Sequence, residues 1–207
     1  LLLDASPQGA SAKVSLIASE LRGALARRQG ADLVIMSYAL VEMPEAAVGE
    51  LARRIFGLAT GLAVFVEPGT PAGFGRLLRC REALLAAGGR LIAPCPHALP
   101  CPMRPPLWCH FAERLPRSRE HRLAKGAELP FEDEPYSYLA FGRRPPEIEP
   151  EGRIVSRVRL TKVEAACEVC GRDGRLSALA APRRDRDTYA GLRRMRRGDA
   201  LEGTNGE

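Results

Sequence analysis

Residues 61–102 read GLAVFVEPGTPAGFGRLLRCREALLAAGGRLIAPCPHALPCP. Gly61–Glu67 is a short, unbroken apolar run closed by Pro68–Gly69, the pattern of a strand buried on both faces. Phe74–Ala87 carries apolar residues three and four apart and stops at Gly88–Gly89, so it predicts a helix. Arg90–Ala93 opens another strand, and Pro94 begins a different kind of sequence. The same alternation extends upstream. Glu45–Thr60 reads as a helix and Ala31–Tyr38 as a strand. Ser11–Arg28 reads as a helix stopped by Gly30, and Leu1–Asp4 as the end of a strand. Continuous apolar strands separated by amphipathic helices predict an α/β fold with a parallel sheet covered on both faces.

Composition sets the limits. The chain has 207 residues, 45% hydrophobic and 27% charged, which suits a globular core and excludes collagen, coiled coil or wholly disordered chain. No apolar run approaches the roughly 18 residues of a membrane span, and no secretory leader is expected. The net charge of +6 is unevenly spread. Residues 1–75 hold six basic and seven acidic side chains, so residues 76–207 hold 25 and 18. Arginine dominates, and its planar fork suits phosphate. A basic second half points to a polyanion, nucleic acid above all, or to a solvated arginine-rich surface.

Downstream of Pro94 the periodicity ends. Residues 94–116 contain seven prolines, three cysteines and two histidines, a structured loop rather than a helix. Leu129–Phe141 reads as an acidic turn (Glu132, Asp133, Glu134) followed by a strand from Tyr136 to Phe141. Arg144–Gly152 is a proline-rich linker. Arg153–Leu179 reads as short strands with a turn at Gly171–Gly174, Arg183–Arg197 as a basic helix, and 201–207 as a disordered tail. The expected organisation is an α/β domain over 1–143, with 94–116 as its cysteine-rich loop, and a small β-rich part over 144–200.

Several residues are candidates for chemistry. Asp4 ends a strand where a ribose is gripped in doubly wound sheets, or else caps the next helix. Glu67 and Gly69 open the turn EPGTPAG at a carboxyl sheet edge, where such folds bind ligands, or form a rigid loop. No glycine-rich cofactor turn is present. Cys95, Cys101 and Cys109 are spaced C-x5-C-x7-C, and Cys167 and Cys170 follow about sixty residues later. Four thiolates suit tetrahedral zinc or a cubane iron–sulfur cluster, and the spacing leaves both open. His97 and His110 are alternative zinc ligands or hydrogen-bonding neighbours. Cys80 lies in a helix as a packed thiol. Arg114, Arg117, Arg119, His121, Arg122 and Lys125 form a strip suited to a phosphate backbone, or a solvated face.

The motifs EPGTPAGF (67–74), APCPH (93–97), WCHF (108–111) and EDEPYSY (132–138), with GRIVSRVRL (152–160) and CGRDGRL (170–176), resemble the methyltransferase-like small-subunit ribosome assembly factor family. The resemblance runs from ADLVIMSYALVEMP (31–44) to RRGDAL (196–201). It implies a truncated class I methyltransferase (Rossmann-like) sheet, a cysteine-rich loop and a small β-rich C-terminal part. It implies a four-iron four-sulfur (4Fe-4S) cluster on Cys95, Cys101, Cys109 and Cys170, with Cys167 as the rival for the fourth place. The implied partners are small-subunit ribosomal RNA and ribosomal proteins, not a membrane, in a bacterial cytoplasm or the mitochondrial matrix. No catalytic residue is assigned. The alternatives are an rRNA methyltransferase that uses S-adenosylmethionine, its donor pocket lined by Asp4 and the Glu67–Gly73 loop, and a zinc-stabilised binding module.

Overall fold

The computed structural model describes residues 30–146 and 148–202, together with Ala18, Gly23 and Leu25. The readings of Leu1–Asp4, most of Ser11–Arg28 and the tail beyond Glu202 lie outside the described residues.

The described residues form two sheets. The first contains β1 (Ala31–Ser37), β2 (Ala59–Pro68), β3 (Arg90–Ala93), β4 (Phe111–Pro116) and β5 (Phe131–Gly142). Its order is β1-β2-β5-β3, with β4 also on β5. Helices α1 (Glu45–Leu58) and α2 (Pro71–Ala86) pack on one face, burying Val48, Ile55, Phe56, Leu77 and Leu84 against Phe65 and Phe141. Each such side chain contributes roughly 1.5–3 kcal/mol of burial free energy. Thr70 caps α2 by accepting from the Gly73 amide at 3.1 Å, with Pro71 in the first turn where its missing N–H is harmless.

The expectation of a parallel sheet is corrected here. Among the described residues, β1 and β2 are the one pair of neighbouring strands in this sheet that runs parallel, while β5 runs against β2, β3 and β4. Being antiparallel to the same strand, β2 and β3 are parallel to one another, with a reversed strand inserted between them. Apolar strands and intervening helices cannot reveal this, because the inserted strand is the last of its sheet in chain order. Nor are both faces covered among the described residues: Leu33 and Ile35, facing away from the helices, are 51% and 59% exposed.

The acidic stretch 132–134 is not a turn. It is the first half of β5, paired with β4 from Phe111↔Tyr136 to Pro116↔Phe131. A short helix, α3 (Arg119–Lys125), lies in the connection, capped by Ser118 and ended by left-handed Gly126 (φ 58°). Tyr136 pairs with Pro68 on one side and Phe111 on the other, so β3 and β4 share one edge of β5. Between them Ser137–Leu139 is free on that edge, and residues 94–110 leave and return through the gap.

The second sheet is antiparallel: β6 (Gly152–Ile154), β7 (Arg159–Leu160), β8 (Glu164–Gly171), β9 (Leu176–Pro182) and β10 (Ala200–Leu201). The order is β10-β6-β8-β7, with β9 on the far edge of β8. Helix α4 (Arg186–Arg194) closes its core through Leu192. The basic helix is thus shorter than the expected 183–197, because Asp185 caps it by accepting from the Thr188 amide. Leu201, expected in a disordered tail, is paired in β10 with Gly152.

Candidate metal centre

Cys95, Cys101, Cys109 and Cys170 line one pocket, three from the loop at the gap in β5 and the fourth from β8. The loop is held by hydrogen bonds to its carbonyls, since prolines deprive it of amides. Arg81 of α2, 3% exposed, donates to His97 O (2.9 Å) and Leu99 O (2.7 Å). Ser137 donates to Cys109 O at 2.8 Å, in the gap itself, and Arg153 of β6 donates to Pro94 O at 2.7 Å. Trp108 Nε1 donates to Gly69 O at 2.9 Å.

Parity separates the two late cysteines. Side chains alternate along a strand, and residues 167 and 170 differ by an odd number. Cys167 lies in the second sheet's core with Ile154, Ala181 and Leu192. Cys170 faces the other way, packed with Met103 and Val155 and against Cys101 and Cys109. His97 Nε2 is 3.3 Å from Cys170 Sγ. Cys80 is fully buried in the first core, where burial pushes its thiol up to about 12.

Three of the pocket thiols are perturbed by burial and by their neighbours in the pocket. Burial, followed by Cys95 and Cys101, pushes Cys170 up to about 12. Burial raises Cys109 further, with Cys95, Cys101 and Cys170 adding to it. Cys95 is raised by burial, and the Arg81 guanidinium opposes that. Ionising all four together requires positive charge among them, which a bound metal group supplies. Among the described residues no three His, Cys, Asp or Glu side chains are gathered around a single ion position. Two buried nitrogens also lack hydrogen-bond partners: His97 Nδ1 and Arg81 Nε. Both border the pocket. Four thiols at one pocket are a donor set of the kind that a cubane cluster or a tetrahedral zinc ion takes.

Of the residues expected to line a cofactor pocket, Asp4 lies outside the described residues. Glu67 is completely buried and accepts from the backbone amides of Ala39 (3.1 Å), Leu40 (2.7 Å) and Val41 (3.1 Å). Its carboxylate ties the end of β2 to the turn after β1. Gly69 brings backbone against backbone, since a Cβ there would lie 2.7 Å from Pro135 C and Tyr136 N. Both residues serve internal packing. The basic strip is partly spent as well. Arg114 makes a two-armed pair with Asp133 (2.7 and 2.9 Å), and Arg117 and Lys125 reach Glu132 at 2.8 and 3.3 Å.

Sequence reasoning missed Arg81, Arg153 and Arg197. Arg81 had a signal: it occupies a core position, four after Leu77 and three before Leu84, where a helix buries apolar residues. Arg197 contacts the ring Nε2 of His110, whose Nδ1 lies 3.3 Å from Trp108 O. Burial and Arg197 lower the His110 pKa. No comparable sequence signal marks Arg153 or Arg197.

The model of the family described as mitochondrial small ribosomal subunit Rsm22 matches residues 4–202. The chain belongs to that family. The match takes in both sheets and every cysteine described above. The chain is also similar to the human mitochondrial ribosome assembly protein METTL17, 29% identical over 183 residues, covering 82% of this chain and 39% of that protein. It thus spans about two-fifths of the length of this curated relative.

Proposed function

We propose that this chain is an RNA-binding assembly factor of the small ribosomal subunit, stabilised by a four-iron four-sulfur cluster on Cys95, Cys101, Cys109 and Cys170. The observation that carries the reading is the single pocket formed by three cysteines of one loop of the first sheet and a fourth from β8 of the second, within a chain of this family. When bound, the cluster supplies cross-linking of the loop to β8. The protein's own residues do the rest: Arg81 and Ser137 fix the loop carbonyls, His97 stands beside Cys170, and Met103 and Tyr138 help exclude water.

The sheet supports a methyltransferase-like ancestry. In the doubly wound order 3-2-1-4-5-6, β1, β2 and β3 correspond to strands 4, 5 and 6, with β5 reversed between the last two. Catalysis is not part of this reading. Glu67 and Gly69, the described residues expected at a donor pocket, are taken up by internal contacts. The basic second half meets rRNA, beside the ribosome of a mitochondrial matrix or a bacterial cytoplasm.

Anaerobic purification followed by iron, acid-labile sulfide and zinc analysis tests the cluster. A brown protein with four iron and four sulfide per chain is the expected result, and stoichiometric zinc without iron or sulfide overturns it. Binding to small-subunit rRNA that weakens steeply with salt is expected of the same preparation. Calorimetry with S-adenosylmethionine should show no binding.

A further inference from the structure

We infer that the groove between β5 and the α4–β10 connection binds single-stranded RNA, with a base stacked on Tyr136 and the flanking phosphates on Arg157 and Arg196. This deepens the RNA-binding reading above and rests on it.

The groove is a product of topology. Register places Phe111 of β4 opposite Tyr136 of β5, and Tyr138 stands two residues along on the same face. Ring centroids are 5.9 Å apart for Phe111–Tyr136, 5.3 Å for Phe111–Tyr138 and 6.0 Å for Tyr136–Tyr138. Phe111 is buried, while the two tyrosines are half-buried, so the floor is apolar and ring surface remains open above it. The opposite wall is Arg196, Arg197 and Gly198, with Arg157 beyond. Gly198 has φ +101°, and a Cβ there would lie 2.9 Å from the Phe111 ring. Only glycine lets this wall close on the aromatic floor. The groove encloses about 780 Å³, within the range of small-molecule sites.

Its electrostatics suit phosphate. Among the described residues, the Arg157 and Arg196 side chains have no carboxylate partner, and both residues are exposed. The acids nearby are Glu113, Asp133 and Asp199. Asp133 is held by Arg114, and Asp199 accepts from the Arg196 amide at 2.7 Å. A neutral amide leaves the Asp199 charge in place, so Glu113 and Asp199 stand against Arg157, Arg196 and Arg197, an excess of one positive charge. Aromatic faces beside free guanidinia are the means by which proteins hold unpaired nucleotides. A duplex keeps its base faces covered and cannot use the ring. The strip on β4 and α3 is less suited, because three of its cations are already paired with Glu132 and Asp133.

The test uses the 207-residue chain purified anaerobically and a labelled single-stranded 12-mer oligoribonucleotide, read by fluorescence anisotropy across a salt series. The variants are Tyr136→Leu, Tyr136→Phe and the double variant Arg157→Gln/Arg196→Gln. None of these residues lines the cysteine pocket, so iron content and melting temperature should match the parent. Tyr136→Leu should weaken binding roughly five-fold or more with an unchanged salt slope, while Tyr136→Phe binds as the parent does. The double arginine variant should flatten the log–log slope by roughly 0.7 for each phosphate it no longer neutralises. A hairpin duplex should compete poorly. Parent-like binding by Tyr136→Leu, or equal competition by duplex RNA or by an acidic peptide, overturns the proposal while leaving RNA binding intact. A parent chain that binds no RNA at low salt instead removes the reading on which the proposal rests.

Discussion

Cys167 and Cys170 occupy one strand, yet they belong to different parts of the molecule. Replacing Cys170 with serine should abolish most of the bound iron and lower stability, because binding at the pocket is also folding free energy for the parts it joins. Cys167→Ser should keep its iron and lose about 1–3 kcal/mol for an unsatisfied hydroxyl in an apolar core. Iron analysis of the two variants decides the matter, and full iron in Cys170→Ser would refute the assignment. Glu67 makes a second case. Its carboxylate accepts three amides in complete burial, and Glu67→Gln turns one acceptor into a donor facing a donor. The expected loss is about 1–3 kcal/mol in urea unfolding, with iron content unchanged. A parent-like midpoint would mean the amide rearranges freely.

The β4–α3–β5 hairpin carries its own electrostatics. Arg117 and Lys125 converge on Glu132, and the Arg117 hydrogen bond leads in holding that carboxyl below its ordinary 4.5. A depressed carboxylate stabilises the fold above its unfolded pKa, and the contribution disappears as pH falls through the lowered value. Arg117→Met should therefore melt below the parent at pH 7, and the gap should narrow as pH drops from 5 towards 3. A gap independent of pH would mean the loss is packing by the arginine stem. This hairpin also shows why parts of the fold were hard to read. FAERLP and FEDEP lack apolar alternation, since ion pairs across the strands replace a hydrophobic face. Glu132–Glu134 therefore looked like a turn. The apolar strands and the helices of the first sheet were legible because their faces are buried, and the boundaries of β3 matched residue for residue.

At the scale of the molecule, two small cores meet at the cysteine loop. Beyond the cysteines, Arg153 donates to Pro94 and Gly198 closes on Phe111. Removing the iron with an oxidant and a chelator should lower the melting temperature by about 2–4 °C for each kcal/mol of stability removed. It should also expose residues 94–110 to proteases. The Cys170→Ser variant, already without iron, should show no further drop; a drop of equal size would mean the treatment damages something else. Cys95, Cys101 and Cys109 stood out in the sequence by their clustering, whereas Cys170 rested on the family resemblance, since parity sets it apart from Cys167 without choosing between them. The aromatic groove was not, because Phe111 and Tyr136 are 25 positions apart and meet only through register.

The place of β5 in the first sheet has a consequence in time. β2, β3 and β4 all pair with a strand that follows them in the chain. As the polypeptide emerges during synthesis, β1 and β2 can join at once, but the edges that frame the cysteine loop have no partner until residue 142 has been made. Such late, long-range closure is slow and exposes unpaired edges meanwhile. Cys170 comes later still. On the proposed reading, three cysteines wait in an unformed loop for their fourth, so a cluster held by all four would be completed only after residue 170 has been made.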